Sequence, residues 1–97
     1  MKMYEKNNHV FWVQIDSGLL LQNVQTNYFI ELNAVQGKVW EYLDGTFSEQ
    51  EIAKKIYTKN NQISLSQIRT EVTATISLLK QFDLISATSP KHGNQRK

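Results

Sequence analysis

The chain of 97 residues contains no cysteine, and this absence excludes two kinds of structure. Neither a disulfide framework nor a thiolate metal site can form, so the fold must depend on its apolar core. A chain of this length is one domain, and such a domain buries only about 60–65% of the surface that its unfolded form exposes. There is little room for a deep active site.

Residues suited to catalysis are also scarce. The two histidines, His9 and His92, lie in the two terminal segments, so neither a Ser-His-Asp nor a Cys-His arrangement is expected. Two histidines so far apart also make a poor metal site. The four glycines are isolated from one another, which excludes a glycine-rich phosphate loop. The sequence therefore predicts a protein that is not an enzyme and that binds neither a metal nor a cofactor.

Apolar runs are short throughout the chain. The longest, such as Gly18 to Leu21, are far too short to span a bilayer, and residues 1–5 lead into no signal-peptide core. We therefore expect no membrane partner and a cytoplasmic location.

Positive charge is concentrated at one end of the chain. The net charge is +2, but residues 1–85 carry eight Lys and Arg against nine Asp and Glu, which gives −1. Residues 86–97 add Lys91, Arg96 and Lys97, lack apolar periodicity and are expected to form a disordered basic tail. A duplex-binding domain normally gathers Lys and Arg on one face. No such face is evident in residues 1–85, so we expect no nucleic-acid partner.

Three short strands are predicted in the first third of the chain. Val10 to Ile15 is β-branched and aromatic, and a turn at Asp16 to Gly18 separates it from Leu19 to Val24. A second turn at Gln25 to Asn27 leads to Tyr28 to Leu32. Together they predict a three-stranded antiparallel meander that needs helices on one face.

Three helices follow, each preceded by a capping residue. The caps are Asn33 before a helix from Ala34 to about Leu43, Ser48 with Glu51 before a short second helix, and Ser64 with Gln67 before a third from Leu65 to about Phe82. The predicted fold class is α+β, a winged-helix-like domain with a three-stranded antiparallel sheet followed by three α-helices. Its predicted bounds are residues 10–85, after a flexible N-terminal segment of residues 1–9.

The third helix has an unusually wide apolar stripe. Its apolar positions span an arc of roughly 160°, whereas about 100° suffices to face a core. The edge at Leu65 and Ile76, bordered by Arg69, Thr73 and Lys80, is therefore expected to form an apolar strip with a basic rim. Such a groove suits an extended peptide with apolar anchors and acidic residues. The alternative is that the whole stripe is ordinary core.

The last strand of the meander is suited to pairing with another chain. Its outer edge is predicted to be unpaired, and Tyr28 to Leu32 contains no Pro, no Lys and one charge, Glu31. Alternation places Tyr28, Ile30 and Leu32 on one face, expected to pack largely inside, with Phe29 and Glu31 on the other. The alternative is a simple core strand.

The order and spacing of these segments resemble a known family. The run YFIELNAVQGKVWEYLDG from Tyr28 to Gly45, then FSEQEIAKKI from Phe47 and IRTEVTATISLLKQFDLI from Ile68, is similar to the PqqD-like family, the RiPP recognition elements. The resemblance covers roughly Val10 to Ile85. It implies a module that binds the leader of a ribosomally made precursor peptide, on the last strand and in the cleft against the third helix, without catalysing its modification. The implied peptide-binding residues are Tyr28, Phe29, Ile30, Glu31, Leu32, Ile68, Arg69, Val72, Thr73 and Ile76.

The resemblance also implies a processing enzyme as second partner. Stand-alone members serve radical SAM maturases in some systems and lasso-peptide leader peptidases in others. An apolar groove with a basic rim favours the lasso type, because it would accept aromatic and aliphatic leader anchors. The alternative function is a winged-helix DNA-binding regulator that would use Arg69 and Lys80, and the charge of −1 on residues 1–85 opposes it.

Overall fold

The computed structural model describes residues 2–59 and 62–88. Its elements are the strands β1 (Met3–Lys6), β2 (Val10–Ile15), β3 (Gly18–Asn23), β4 (Tyr28–Asn33), β5 (Asp44–Ser48) and β6 (Ile85–Thr88), and the helices α1 (Ala34–Glu41), α2 (Glu49–Lys59) and α3 (Leu65–Gln81). The α+β class is confirmed, as are the three predicted strands and three predicted helices. No helix among the described residues is both long enough and apolar enough to span a membrane.

The predicted meander is present as one antiparallel sheet in the order β2-β3-β4. Trp12, Leu21 and Ile30 lie side by side across it, on the face that meets the core. Gly18 opens β3 with a φ of +154°, and a Cβ at this position would overlap the carbonyl oxygen of Leu32. The tight approach of β3 to β4 therefore requires glycine here.

A second antiparallel sheet, in the order β5-β1-β6, was not predicted. Residues 1–9 were expected to be flexible and residues 86–97 disordered, yet β1 and β6 pair with each other from Met3 opposite Thr88 to Lys6 opposite Ile85. Four-residue strands carry too little alternation to be recognised locally, because their stability comes from a partner about 80 residues away in sequence. The rest of the predicted tail, residues 89–97, lies outside the described residues.

All three predicted N-cap residues cap their helices, two of them as complete capping boxes, whereas Gln67 does not return the hydrogen bond to Ser64. Asn33 Oδ1 accepts a hydrogen bond from the Gln36 backbone N–H at 2.8 Å, and the Gln36 side chain accepts one from the Asn33 N–H at 2.9 Å. Ser48 and Glu51 form the same reciprocal pair at α2. Ser64 caps α3 by accepting a hydrogen bond from the backbone three residues on, at 3.1 Å. These local bonds explain why the helix starts were predictable.

Helix α1 ends two residues earlier than predicted, at Glu41. The chain after it turns into β5, where Gly45 has a φ of +84°. The core lies between the meander and the helices, and its largest fully buried apolar residues are Leu21, Leu32, Val39, Trp40, Leu43, Ile52, Ile68, Val72, Leu79 and Leu84. Tyr4 and Ile85 extend this core from the second sheet.

Candidate functional site

The outer edge of β4 is available for pairing. This strand pairs with β3 on one side, and no strand within residues 2–59 and 62–88 pairs with its other side. Its backbone N–H and C=O groups along that edge can therefore template an additional strand. This edge is the first component of the site.

The side chains of β4 were predicted with one error. Leu32 is fully buried and Ile30 is half-buried, as expected, and Phe29 and Glu31 are exposed on the opposite face. Tyr28, expected inside, is 58% exposed. The strand begins beyond the edge of the core, where little covers the first side chain.

The end of helix α3 lies next to the start of β4. The rings of Tyr28 and Phe82 meet edge to face with their centroids 5.4 Å apart. Because each helical residue advances 100°, Leu78 lies about 40° from Phe82 and Thr75 about 20° from it on the other side. Leu78 and Phe82 are half-buried and Thr75 is buried. This edge of α3 and the facing strand, with Tyr28 and Ile30, form what we call the β4–α3 cleft.

The predicted apolar strip lies on the wrong edge of α3. Ile76, which was expected to be left for a ligand, is 2% exposed, and Ile68 and Val72 are each 1% exposed. All three belong to the core. Leu65, the other residue of the predicted strip, is half-buried. The half-buried edge that lies beside β4 is the opposite one, at Leu78 and Phe82. Periodicity gives the width of an apolar arc and cannot tell which side of it other elements cover.

The predicted basic rim is likewise separated from β4. Thr73 donates a hydrogen bond to Glu49 Oε1 at 3.0 Å, and the Lys80 ammonium lies 5.5 Å from the ring centroid of Tyr4. Arg69 and Thr73 line a separate groove of about 720 Å³ between α2 and α3, together with Lys2, Ser48, Glu49, Gln50 and Lys54. The structure thus does not bring Arg69 and Thr73 together with Tyr28 to Leu32.

Asn23 joins the two walls of the β4–α3 cleft. Its side chain is fully buried. The amide donates hydrogen bonds to the backbone carbonyls of Phe82 at 3.0 Å and Asp83 at 3.3 Å, at the end of α3. Its carbonyl oxygen accepts from the N–H groups of Gln25 at 2.9 Å and Thr26 at 3.2 Å, in the turn before β4. Sequence reasoning missed Asn23, since an asparagine before a turn is ordinary and its partners on α3 are 59 and 60 residues away.

Lys6 has a perturbed pKa but lies outside the cleft. Its ammonium donates hydrogen bonds to two backbone carbonyls at the end of α1. These belong to Glu41, the last residue of the helix, at 3.4 Å and to Leu43 at 3.3 Å. It also lies 5.4 Å and 5.9 Å from the ring centroids of Trp40 and Trp12. Burial lowers the pKa of Lys6 from 10.5, and two nearby carboxylates partly oppose this. These contacts make Lys6 a structural cation at the end of α1.

The described part of the chain contains no group of three or more His, Cys, Asp or Glu residues placed to hold a metal ion. The arrangement offers instead a free strand edge beside a half-buried apolar helix edge. Such a combination binds extended peptides, because the edge supplies backbone hydrogen bonds and the cleft accepts alternate side chains.

Comparisons with known proteins match the fold to solved structures. No protein-family model matches the sequence, and no curated protein matches it. TbiB1, solved in complex with the TbiA(beta) leader peptide, is similar with a TM-score of 0.74 at 19% identity, over 89% of this chain and 99% of TbiB1. A lasso peptide synthetase B1 complexed with the leader peptide is similar with a TM-score of 0.72 at 16% identity, over 86% of this chain and 96% of that protein. At these identities the likeness shows a shared fold.

Proposed function

We propose that this protein binds the leader region of a ribosomally synthesised precursor peptide and presents it to a processing enzyme, without catalysing a step itself. The observation that carries the proposal is the outer edge of β4, which no strand of the described residues pairs with, beside the Leu78 and Phe82 edge of α3. The similar solved structures support it, since both are complexes of B1 proteins with leader peptides.

Binding would proceed by addition of an antiparallel strand to β4. Backbone hydrogen bonds along Tyr28 to Leu32 would set the register of the leader, and every second leader side chain would enter the β4–α3 cleft. Apolar leader anchors would there meet Ile30, Leu78 and Phe82, which are half-buried in the free protein. An interface with a few buried anchors supports affinities from about 1 nM to about 1 μM.

The roles of the predicted site residues follow from where they lie. Tyr28 to Leu32 would supply the pairing edge, with Tyr28 and Ile30 facing the cleft and Leu32 buried in the core behind them. Ile68, Val72 and Ile76 would hold α3 in place from the core. Arg69 and Thr73 would take no part in holding the leader, because they line the groove between α2 and α3.

We infer a leader peptidase of the lasso type as the processing enzyme, in preference to a radical SAM maturase. One of the two similar structures supports this choice, since it is a lasso peptide synthetase B1. The proposed place of action is the cytoplasm. The winged-helix DNA-binding alternative is not favoured, since Lys80, one of its two contact residues, packs over the ring of Tyr4. The basic groove at Arg69, its other contact residue, also contains Glu49.

The test uses the leader region of a short precursor peptide encoded beside the gene for this chain. Isothermal titration calorimetry gives its affinity, and amide hydrogen exchange locates it. We expect protection of backbone amides in Tyr28 to Asn33 on binding and little change in affinity between about 50 mM and about 200 mM salt, whereas duplex DNA binding would weaken steeply over that range. Protection confined to β2 and β3 would show that the proposed edge is wrong.

A further inference from the structure

A second concave surface lies on the opposite edge of α3 from the β4–α3 cleft. Gln50 and Lys54, one helical turn apart on α2, face Arg69 and Thr73, one turn apart on α3, across a groove of about 720 Å³. A neighbouring groove of about 440 Å³ shares Arg69 and Thr73 and continues past Thr70, Ala74 and Ser77. We call this continuous surface the α2–α3 groove.

The groove has an excess of cations without carboxylate partners. Lys2, Lys54 and Arg69 line it, and within residues 2–59 and 62–88 none of them has a carboxylate oxygen within 4.0 Å. The acidic residue of the lining, Glu49, already accepts a hydrogen bond from Thr73. Glu51, the next carboxylate along α2, accepts one from the Ser48 backbone N–H. The lining therefore carries three positive charges against one negative charge, and this net charge of +2 can attract an external anion.

The size and lining of the groove indicate which class of anion it can bind. Along α3 the groove continues past the small side chains of Thr70, Ala74 and Ser77, which leave space for a polypeptide backbone. No aromatic side chain is among the lining residues in the part of the chain that the structure describes, so a nucleobase would find no ring there on which to stack. A single phosphate would fill only a small part of about 720 Å³. We propose that the α2–α3 groove binds an acidic segment of a partner polypeptide.

This inference goes beyond leader binding and does not depend on it. Phe82 lies on one edge of α3 and Arg69 on the other, separated by the buried stripe of Ile68, Val72 and Leu79. A leader strand on β4 and an acidic segment in the groove would therefore occupy different faces. The protein would hold two polypeptides at once, with α3 between them.

The experiment titrates the full chain with a synthetic peptide of eight glutamates, at about 150 mM salt, where long-range attraction between exposed charges is largely screened. Arg69→Gln and Lys54→Gln each remove one groove cation, and Lys59→Gln, on the same helix as Lys54 but outside the groove, is the matched control. We expect each groove variant to weaken binding about fivefold, which is about 1 kcal/mol, and the control to change it less than twofold.

Two companion measurements decide the class of ligand. Inorganic triphosphate should fail to displace the glutamate peptide, and the leader affinity of Arg69→Gln should equal that of the unmodified protein. Equal losses in all three variants would show unspecific charge attraction and overturn the proposal. Tighter binding of triphosphate than of the peptide would also overturn it in favour of a polyphosphate site, as would no binding of the peptide at all.

Discussion

The ring of Tyr28, the first residue of β4, meets the ring of Phe82, the residue that ends α3, edge to face with centroids 5.4 Å apart. This contact brings the unpaired strand edge and the uncovered helix edge to the same end of the cleft. Neither residue is fully buried, and Tyr28 is 58% exposed. The two rings therefore connect β4 to the end of α3 and also remain accessible to a ligand.

Replacing Tyr28 with alanine should weaken leader binding by about tenfold or more while lowering stability by only about 0.5–1.5 kcal/mol, the usual value of an aromatic pair. Phe29→Ala is the matched control, because Phe29 is also 58% exposed but lies on the opposite face of β4. Calorimetric leader affinity and urea unfolding should be measured on both variants. Equal effects on affinity would place the leader on the other face of the sheet.

Asn23→Asp should loosen the cleft. The carboxylate can still accept from the N–H groups of Gln25 and Thr26, but it cannot donate to the carbonyls of Phe82 and Asp83. Because the group is buried, we expect the free energy of unfolding to fall by about 1–3 kcal/mol. At temperatures where the variant remains folded, its leader affinity should be weaker. Exchange of the Tyr28 and Phe82 amides reports the loosening directly. An unchanged leader affinity would show that Asn23 contributes to stability and does not shape the binding cleft.

Ile76 should behave as core. Because it is 2% exposed, Ile76→Ala should lower stability by about 2–5 kcal/mol, as Leu79→Ala should, and Ile76→Asp should unfold the domain. Ala74→Asp, exposed on the same helix, is the control and should remain folded. Circular dichroism melting compares the three positions. If the Ile76→Asp protein folded, Ile76 would lie on an open edge of α3, and the assignment of that edge to Leu78 and Phe82 would be wrong.

Arg69→Glu should leave leader affinity within about twofold of the unmodified protein, because the side chain lines the α2–α3 groove and not the β4–α3 cleft. Its melting temperature should also change little, since exposed charges contribute little to folding. A marked loss of leader binding in this variant would show that the leader extends across α3 to the basic groove.

Lys6 should make stability depend on pH in the alkaline range. Its pKa is lowered in the folded protein from 10.5, so between the lowered value and 10.5 the unfolded chain binds more protons than the folded one. Stability from this group therefore rises with pH through that window. Urea unfolding of the unmodified protein and of Lys6→Met, from about pH 8 to about pH 10.5, should show the unmodified protein gaining relative to the variant. A constant difference would show that Lys6 has the same pKa in both states.

Much of the secondary structure was predictable because it depends on neighbours in sequence. Asn33 reaches the N–H of Gln36, three residues on, and Ser48 and Glu51 are also three residues apart. The β-branched and aromatic composition of β2, the alternation of β4 and the turn at Gly18 are equally local. The same reasoning predicted that the outer edge of β4 is open to pairing, because the lack of Pro and Lys in Tyr28 to Leu32 can be read directly.

The amino-acid sequence by itself determined the caps, the meander, the three helices and the lack of cysteine, since each depends on composition or on short spacings. Only the tertiary structure decided that β1 pairs with β6, that Asn23 reaches Phe82, and which edge of α3 stays uncovered beside β4. Those outcomes depend on contacts between segments tens of residues apart. A periodic stripe shows that a helix has an apolar side, but only packing against specific neighbours determines which part of that side remains open to a ligand.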